Sequence, residues 1–309
     1  MKRVVFIAAF ILIILLVCIY VFIPSTLTTS KTVSVKCVDK NVLLLIGNKQ
    51  GWSKWLPKES FTSDLIQYKD YQLKLGGATY TSVTFDALKE DDTIFNEIGF
   101  VKDSVTKTKI SVISSVATGM NPFTRFRKWQ MMKSYETVID DLLQPLISFA
   151  EDKKNIYGVE ITDGRIPDSL FISTRKTFDH QPTEAEIYNL IDQLRVYAKA
   201  KNAKQVNQPM MHLEHFDSSH FEIMVALPID KVIENEGNFL FKQMIKGNTL
   251  IADVHGGRAT INNGLRALEQ FKSDYQFTSP AISFESMITD RRAEQDTAKW
   301  VTRLYYPIF

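Results

Sequence analysis

Ser279-Pro-Ala-Ile-Ser-Phe-Glu-Ser-Met-Ile-Thr-Asp290 reads as a short strand that sets one carboxylate, Glu285, among apolar and small residues. A second run, Gln208 to Asp217, repeats the layout. Glu214 follows Pro209 by five positions as Glu285 follows Pro280, and the two glutamates are 71 positions apart. That repetition predicts an internal duplication.

Working outward, each copy has the same order of elements. In the first, Tyr157 to Thr162 and Ser169 to Thr177 alternate as strands around an Asp163-Gly164-Arg165 turn. Thr183-Glu184-Ala185-Glu186 is a capping box, and Ile187, Leu190, Ile191, Leu194 and Tyr197 give the helix it opens one apolar face. Gln208 to His215 and His220 to Leu227 then form a hairpin around Asp217-Ser218-Ser219. In the second copy, Thr249 to His255 is a strand, Thr260 to Lys272 a helix, and Ala281 to Thr289 and Thr302 to Phe309 are strands. Thr183 and Thr260 are 77 apart, Pro228 and Pro307 79 apart; a longer loop at Asp290 to Ala298 accounts for the smaller offset of the glutamates. Two strand-helix-strand-strand units are expected to pair about a pseudo-two-fold axis and leave a groove between the helices or at the sheet centre.

This half resembles the GyrI-like, or AraC effector-binding, small-molecule-binding domain. Its marks are Phe221-Glu222-Ile223-Met224-Val225-Ala226-Leu227-Pro228, similar to the family's F-E-x-x-V-x-I-P strand, and Val254-His255-Gly256-Gly257, similar to its H-x-G. Phe284-Glu285 with Asp290 is similar to Y/W-E-x-Y-x-x-D, and Tyr305-Tyr306-Pro307-Ile308 closes the chain. The resemblance implies a ligand pocket floored by Glu285, with Phe284, Met287, Tyr305, Tyr306 and Glu214 as the other candidate ligand-binding residues. Carboxylate and rings together favour an amphipathic or cationic ligand. Met287 stands where the family has a tyrosine, so one wall is apolar and adaptable. A subset of the family hydrolyses small electrophiles, which makes Glu285 the candidate general base if the chain is an enzyme. A membrane-tethered protein-protein regulator is the third reading. No cofactor is implied.

The first half reads differently. Lys31 to Val38 is a strand, Asn41 to Trp55 helical, and Leu65 to Leu75, Tyr80 to Phe85, Ile94 to Phe100 and Thr108 to Val116 are strands, with Gly76-Gly77 as a hairpin signal. Asn121 and Pro122 cap a long helix whose stripe of Trp129, Met132, Tyr135, Ile139, Leu142, Leu146 and Phe149 needs a sheet to cover it. Pro145 predicts a kink or break in it. With Gly51-Trp52-Ser53-Lys54-Trp55-Leu56-Pro57, similar to a W-x-x-W-x-P element, this order resembles the helix-grip fold of the START-like, polyketide cyclase-like (SRPBCC) superfamily. That resemblance implies an apolar cavity between sheet and helix, whereas Trp52 and Trp55 read as core and lid packing.

Val4 to Ile23 is a run of 20 residues without a charge, preceded by Lys2 and Arg3. Its length and flanks predict a single-pass membrane anchor with a cytoplasmic N-terminus, in the plasma (inner) membrane, and with both domains outside the cytoplasm. A cleaved signal peptide fits less well, since no small-x-small site follows. The expected organisation is an anchor over 1–26, a helix-grip domain over 27–152 and a GyrI-like domain over 153–309, an α+β protein throughout. Of the 309 residues, 37 are basic and 35 acidic, a balance that argues against nucleic-acid binding. Cys18 and Cys37 make no disulfide framework. Strand alternation throws His212 and His215 onto opposite faces, which argues against a metal site with Glu214 and His220. His255 is expected to satisfy turn backbone, and Arg125, Arg127, Arg291 and Arg292 to lie on solvated surfaces.

Overall fold

The local signals at Asn121 and Thr183 set the two main helix starts of the computed structural model, which describes residues 2–167, 169–217, 220–279 and 281–309. Ser218, Ser219 and Pro280, placed above in a hairpin turn and at a strand start, lie outside them. The chain is α+β, with two antiparallel sheets, and divides into two units, Met1–Asp152 and Lys153–Phe309.

The first unit runs α1 (Lys2–Phe22), β1 (Thr26–Val35), α2 (Asp39–Ile46), α3 (Lys49–Trp52), β2 (Ile66–Tyr68), β3 (Tyr71–Ala78), β4 (Ser82–Lys89), β5 (Asp92–Ser104), β6 (Lys107–Ala117) and α4 (Pro122–Glu151). Its sheet has the order β1-β6-β5-β4-β3-β2. Asn121 accepts from the backbone of Phe123 and Thr124 to start α4, which continues through Pro145 instead of breaking there. Gly76 and Gly77 lie inside β3, where the register to β4 slips; the β3–β4 turn comes just after them, where the Thr79 amide donates to the Ser82 carbonyl at 2.7 Å, and a separate β2–β3 turn has Lys69 at φ of 51°. Thr84 explains Gly76, whose Cβ would lie 2.5 Å from its Oγ1; the same oxygen accepts from the Gly77 amide at 3.1 Å, although a Cβ on Gly77 would meet open space.

Side chains pack much of the space between this sheet and α4, and a polar cleft of about 250 Å³ remains among β1, β6 and α4, lined by Thr29, Lys31, Ser114, Glu136 and Asp140. Trp52 is fully buried, donates to the Ile46 carbonyl at 2.7 Å and packs on Trp55 and Phe85. Beside them Asn96, on β5, accepts hydrogen bonds at one oxygen from Ser114 (2.6 Å) and Tyr135 (3.1 Å) and donates to the Ile94 carbonyl. Burial holds the Tyr135 phenol well above its ordinary range, so this group stays a neutral donor.

The expected membrane anchor is corrected. Among the described residues, no helix is long and apolar enough to cross a membrane, so the transmembrane element of the fold and the plasma-membrane placement with outward domains do not stand. The apolar run has protein contacts at its end, where Tyr20 donates to the Met120 carbonyl and the Arg125 guanidinium lies 4.8 Å above the Tyr20 ring, while Leu15, Ile19 and Phe22 line an open apolar cleft of about 600 Å³ with Phe123, Phe126 and Trp129. Hydropathy alone does not tell a helix that packs on protein from one that packs on lipid. Arg125 is accordingly buried, not solvated.

The second unit runs α5 (Lys153–Tyr157), β7 (Thr162–Arg165), β8 (Leu170–Phe178), α6 (Glu184–Ala200), β9 (Met210–Asp217), β10 (His220–Pro228), β11 (Leu240–Gln243), β12 (Asn248–His255), α7 (Arg258–Asp274), β13 (Phe284–Met287) and β14 (Val301–Ile308). Two strand-helix-strand-strand units, β8-α6-β9-β10 and β12-α7-β13-β14, share one sheet of order β11-β8-β10-β9-β13-β14-β12-β7. The order is symmetric about β9 and β13, the arrangement that the GyrI-like resemblance implies. Tyr157 to Thr162 is not a strand: α5 ends at Tyr157, and β7 takes up Asp163-Gly164-Arg165, where a turn was expected, because that segment pairs with β12. Helices α6 and α7 cover one face over cores centred on Ile191 and Leu268. Gly264 lets α7 close on the sheet, since a Cβ there would lie 2.6 Å from Leu304 and 2.7 Å from Val254.

Two outcomes are expected. Asn96→Ala strands two buried hydroxyl donors and costs about 3 kcal/mol, whereas Tyr135→Phe removes one donor from a still-bonded oxygen and costs about 1 kcal/mol, both read from urea unfolding. At α6, Glu186 accepts from the Thr183 backbone (2.9 Å) and hydroxyl (2.8 Å), which together hold its carboxyl down from 4.5 to about 2. A lowered carboxyl pKa stabilises the fold above the ordinary value and loses that stabilisation as pH falls through the folded one. Glu186→Gln therefore lowers the thermal midpoint at pH 7, and its difference from the parent protein shrinks between pH 4.5 and about 2.

Candidate functional site

At the sheet centre β13 pairs with β9 through Glu285↔Met211 and Ser286↔Met210, and with β14 through Phe284↔Tyr305. Alternation along so short a strand divides the expected site residues between two faces. Glu285 and Met287 point toward the helices; Phe284 and Tyr305 stack on the opposite, open face, centroids 4.8 Å apart. Met287 is buried in the α6 core. Tyr306 belongs to the α7 side, where its hydroxyl is 3.3 Å from Lys272 Nζ. Glu214 is exposed on the open face, opposite Glu222 in register. The two glutamates of the duplication thus stand on different faces, because Met211, not Glu214, lies across from Glu285 at the two-fold centre.

Glu285 is only 2% exposed, and its Oε1 accepts from Arg258 Nη1 at 2.5 Å, while Nη2 lies 3.9 Å from Met211 Sδ. Arg258 opens α7, just after a tight turn at Gly256, whose φ of 123° and contact with Thr260 exclude a Cβ. A cation in the first helical turn opposes the helix dipole, and that local mismatch was the available sign of a nearby carboxylate. The guanidinium neutralises Glu285 and occupies one of its oxygens; Oε2 is buried without a partner. A carboxylate so engaged braces α7 to the seam.

The open face carries an apolar cleft. Phe171, Met210, Met224, Ala226 and Phe284 floor a cleft of about 210 Å³, walled by Lys242 and Met244 from β11 and its exit and by Ala281, Ile282 and Pro307. An apolar cavity of about 150 Å³ takes up a benzene molecule, so this one has room for a one- or two-ring body. Lys242 Nζ lies 3.8 Å from Met224 Sδ, and burial, followed by Arg175, pushes its pKa down. Arg175 itself is paired to Glu222 at 3.0 Å. Four of the nine methionines fall between 210 and 244, the one sequence signal that pointed to this cleft.

The histidines have local roles. His212 Nδ1 donates to the Ser283 carbonyl at 2.8 Å, which ties β9 to the approach to β13, and His215 stacks on Phe221. His255 is exposed at the end of β12. Arg291, expected in solvent, is buried: it binds Glu184 and Thr302, each at 2.9 Å, and lies over the Trp300 ring. Its backbone amide donates to the Tyr188 hydroxyl, whose pKa burial pushes up to about 12.

No family model matches the chain, and no curated protein matches it. Among solved structures, the EcmrR C-terminal domain is 18% identical with a TM-score of 0.41, over 49% of this chain and 98% of its own. A hydrolase from Listeria innocua is 14% identical with a TM-score of 0.38, over 52% and 98% of the two chains. SAV2435 bound to tetraphenylphosphonium is 12% identical with a TM-score of 0.34, over 48% and 94%. At TM-scores below 0.5, what those proteins bind or hydrolyse stays with them.

Proposed function

We propose that the second unit, residues 153–309, is a small-molecule-binding module that holds the apolar part of its ligand in the open-face cleft. One observation carries the reading: about 210 Å³ of space on an otherwise well-packed sheet, bounded by Phe171, Phe284, Met210, Met224 and Met244. Thioether side chains are unbranched and polarisable, so they adapt to ligands of different outline. Phe284 supplies a ring wall that Tyr305 stiffens from behind. Glu285, Met287 and Tyr306 support the sheet from the helix side, and Glu214 lies beyond the cleft. The aromatic pocket with a carboxylate floor is replaced by an apolar one.

The full chain should take up the neutral two-ring dye 6-propionyl-2-dimethylaminonaphthalene saturably, with a blue-shifted emission. Ala226→Phe fills the floor and should weaken that binding tenfold or more, about 1.4 kcal/mol, with far-UV circular dichroism unchanged. Glu285→Gln, on the other face, should leave the dye affinity of the folded protein within about twofold. Undiminished binding by folded Ala226→Phe would overturn the assignment of the cleft.

A further inference from the structure

The charge beside the cleft is of the opposite sign to the one the sequence suggested. Lys242 pairs with Phe171 in the β11–β8 register, so its stem runs along the cleft wall and its ammonium ends against Met224 Sδ at 3.8 Å. A thioether is a weak acceptor and carries no charge. On the same face Arg175 and Glu222 are closed on each other at 3.0 Å, and among the described residues no carboxylate pairs with Lys242. Glu214, the register partner of Glu222, lies farther along β9 and outside the lining. Burial and the neighbouring Arg175 both act against the ammonium, as its lowered pKa records. A partly buried cation without a counter-ion is stabilised by an anion brought with the ligand, because Coulomb attraction strengthens as water is excluded.

We infer that the cleft takes an amphipathic anion, a compact aromatic or branched aliphatic acid whose apolar body lies on Phe284 and Met210 and whose carboxylate or sulfonate closes on Lys242. The inference rests on the cleft being the binding site and adds the charge of the ligand. It also separates this face from the helix side, where Arg258 and Glu285 already satisfy each other.

Three probes with one ring system test it on the full chain by isothermal titration: 1-naphthoate, 1-naphthalenemethanol and 1-naphthylmethylammonium. Naphthoate should bind at least tenfold more tightly than the alcohol and the ammonium more weakly than either, and Lys242→Met should abolish the preference while leaving the alcohol within twofold of its parent affinity. Equal binding of all three overturns the anion assignment and leaves the cleft standing. Binding of none overturns both. Tighter binding of the ammonium reverses the charge assignment in favour of the carboxylates on this face.

Discussion

The second unit depends on a very short seam. Its two halves join through two register pairs, Glu285↔Met211 and Ser286↔Met210, with a further bond from the Met287 amide to the Pro209 carbonyl at 3.0 Å. So little backbone pairing is a weak hinge by itself, and a buried carboxylate within it would weaken it further. Arg258 changes the sign of that contribution. By binding Glu285 and touching Met211, one side chain from the start of α7 ties both seam strands to the helix layer. Removing one partner alone strands a buried charge, the more damaging of the two possible losses.

Both faces of the sheet inherit their chemistry from that seam. Alternation sends Glu285 and Met287 into the helix layer and Phe284 and Met210 onto the open side, so the seam supplies at once the ion pair that braces the fold and the floor of the cleft. A one-residue slip of β13 would exchange the two sets. The first unit solves a similar problem without charge: a buried amide, Asn96, collects two hydroxyls at one oxygen, and Trp52, Phe85 and Tyr135 pack beside it.

What was legible in the sequence was local. The capping box at Thr183 and Glu186, the proline after Asn121 and the apolar stripes of α4 and α6 are each written within a few helical turns, and the duplicated order of elements builds on them. What was misread depends on a partner far along the chain. Gly76-Gly77 reads as a turn until Thr84 is seen across the ladder, and Asp163-Gly164-Arg165 until β12 pairs with it. The prolines at 209 and 280 align Glu214 with Glu285, yet the face of each glutamate is decided by strand register, which spacing within one strand does not contain. The uncharged run at the N-terminus has the same composition whether it crosses lipid or only touches the start of α4 with its end. The cleft was hidden for the same reason, since its lining comes from several strands and from the segments next to them.

The two helix starts mark the halves of the duplication with opposite charge. Helix α6 begins with Glu184, which binds buried Arg291; α7 begins with Arg258, which binds buried Glu285. The first residues of equivalent helices therefore carry opposite charges and answer opposite partners. If the helices exchanged berths, within one chain or between two copies, Glu184 would meet Glu285 and Arg258 would meet Arg291, each a like-charge contact shielded from water. Near-identical geometry invites such misassembly, and the reversed polarity gives each helix a single address on the sheet.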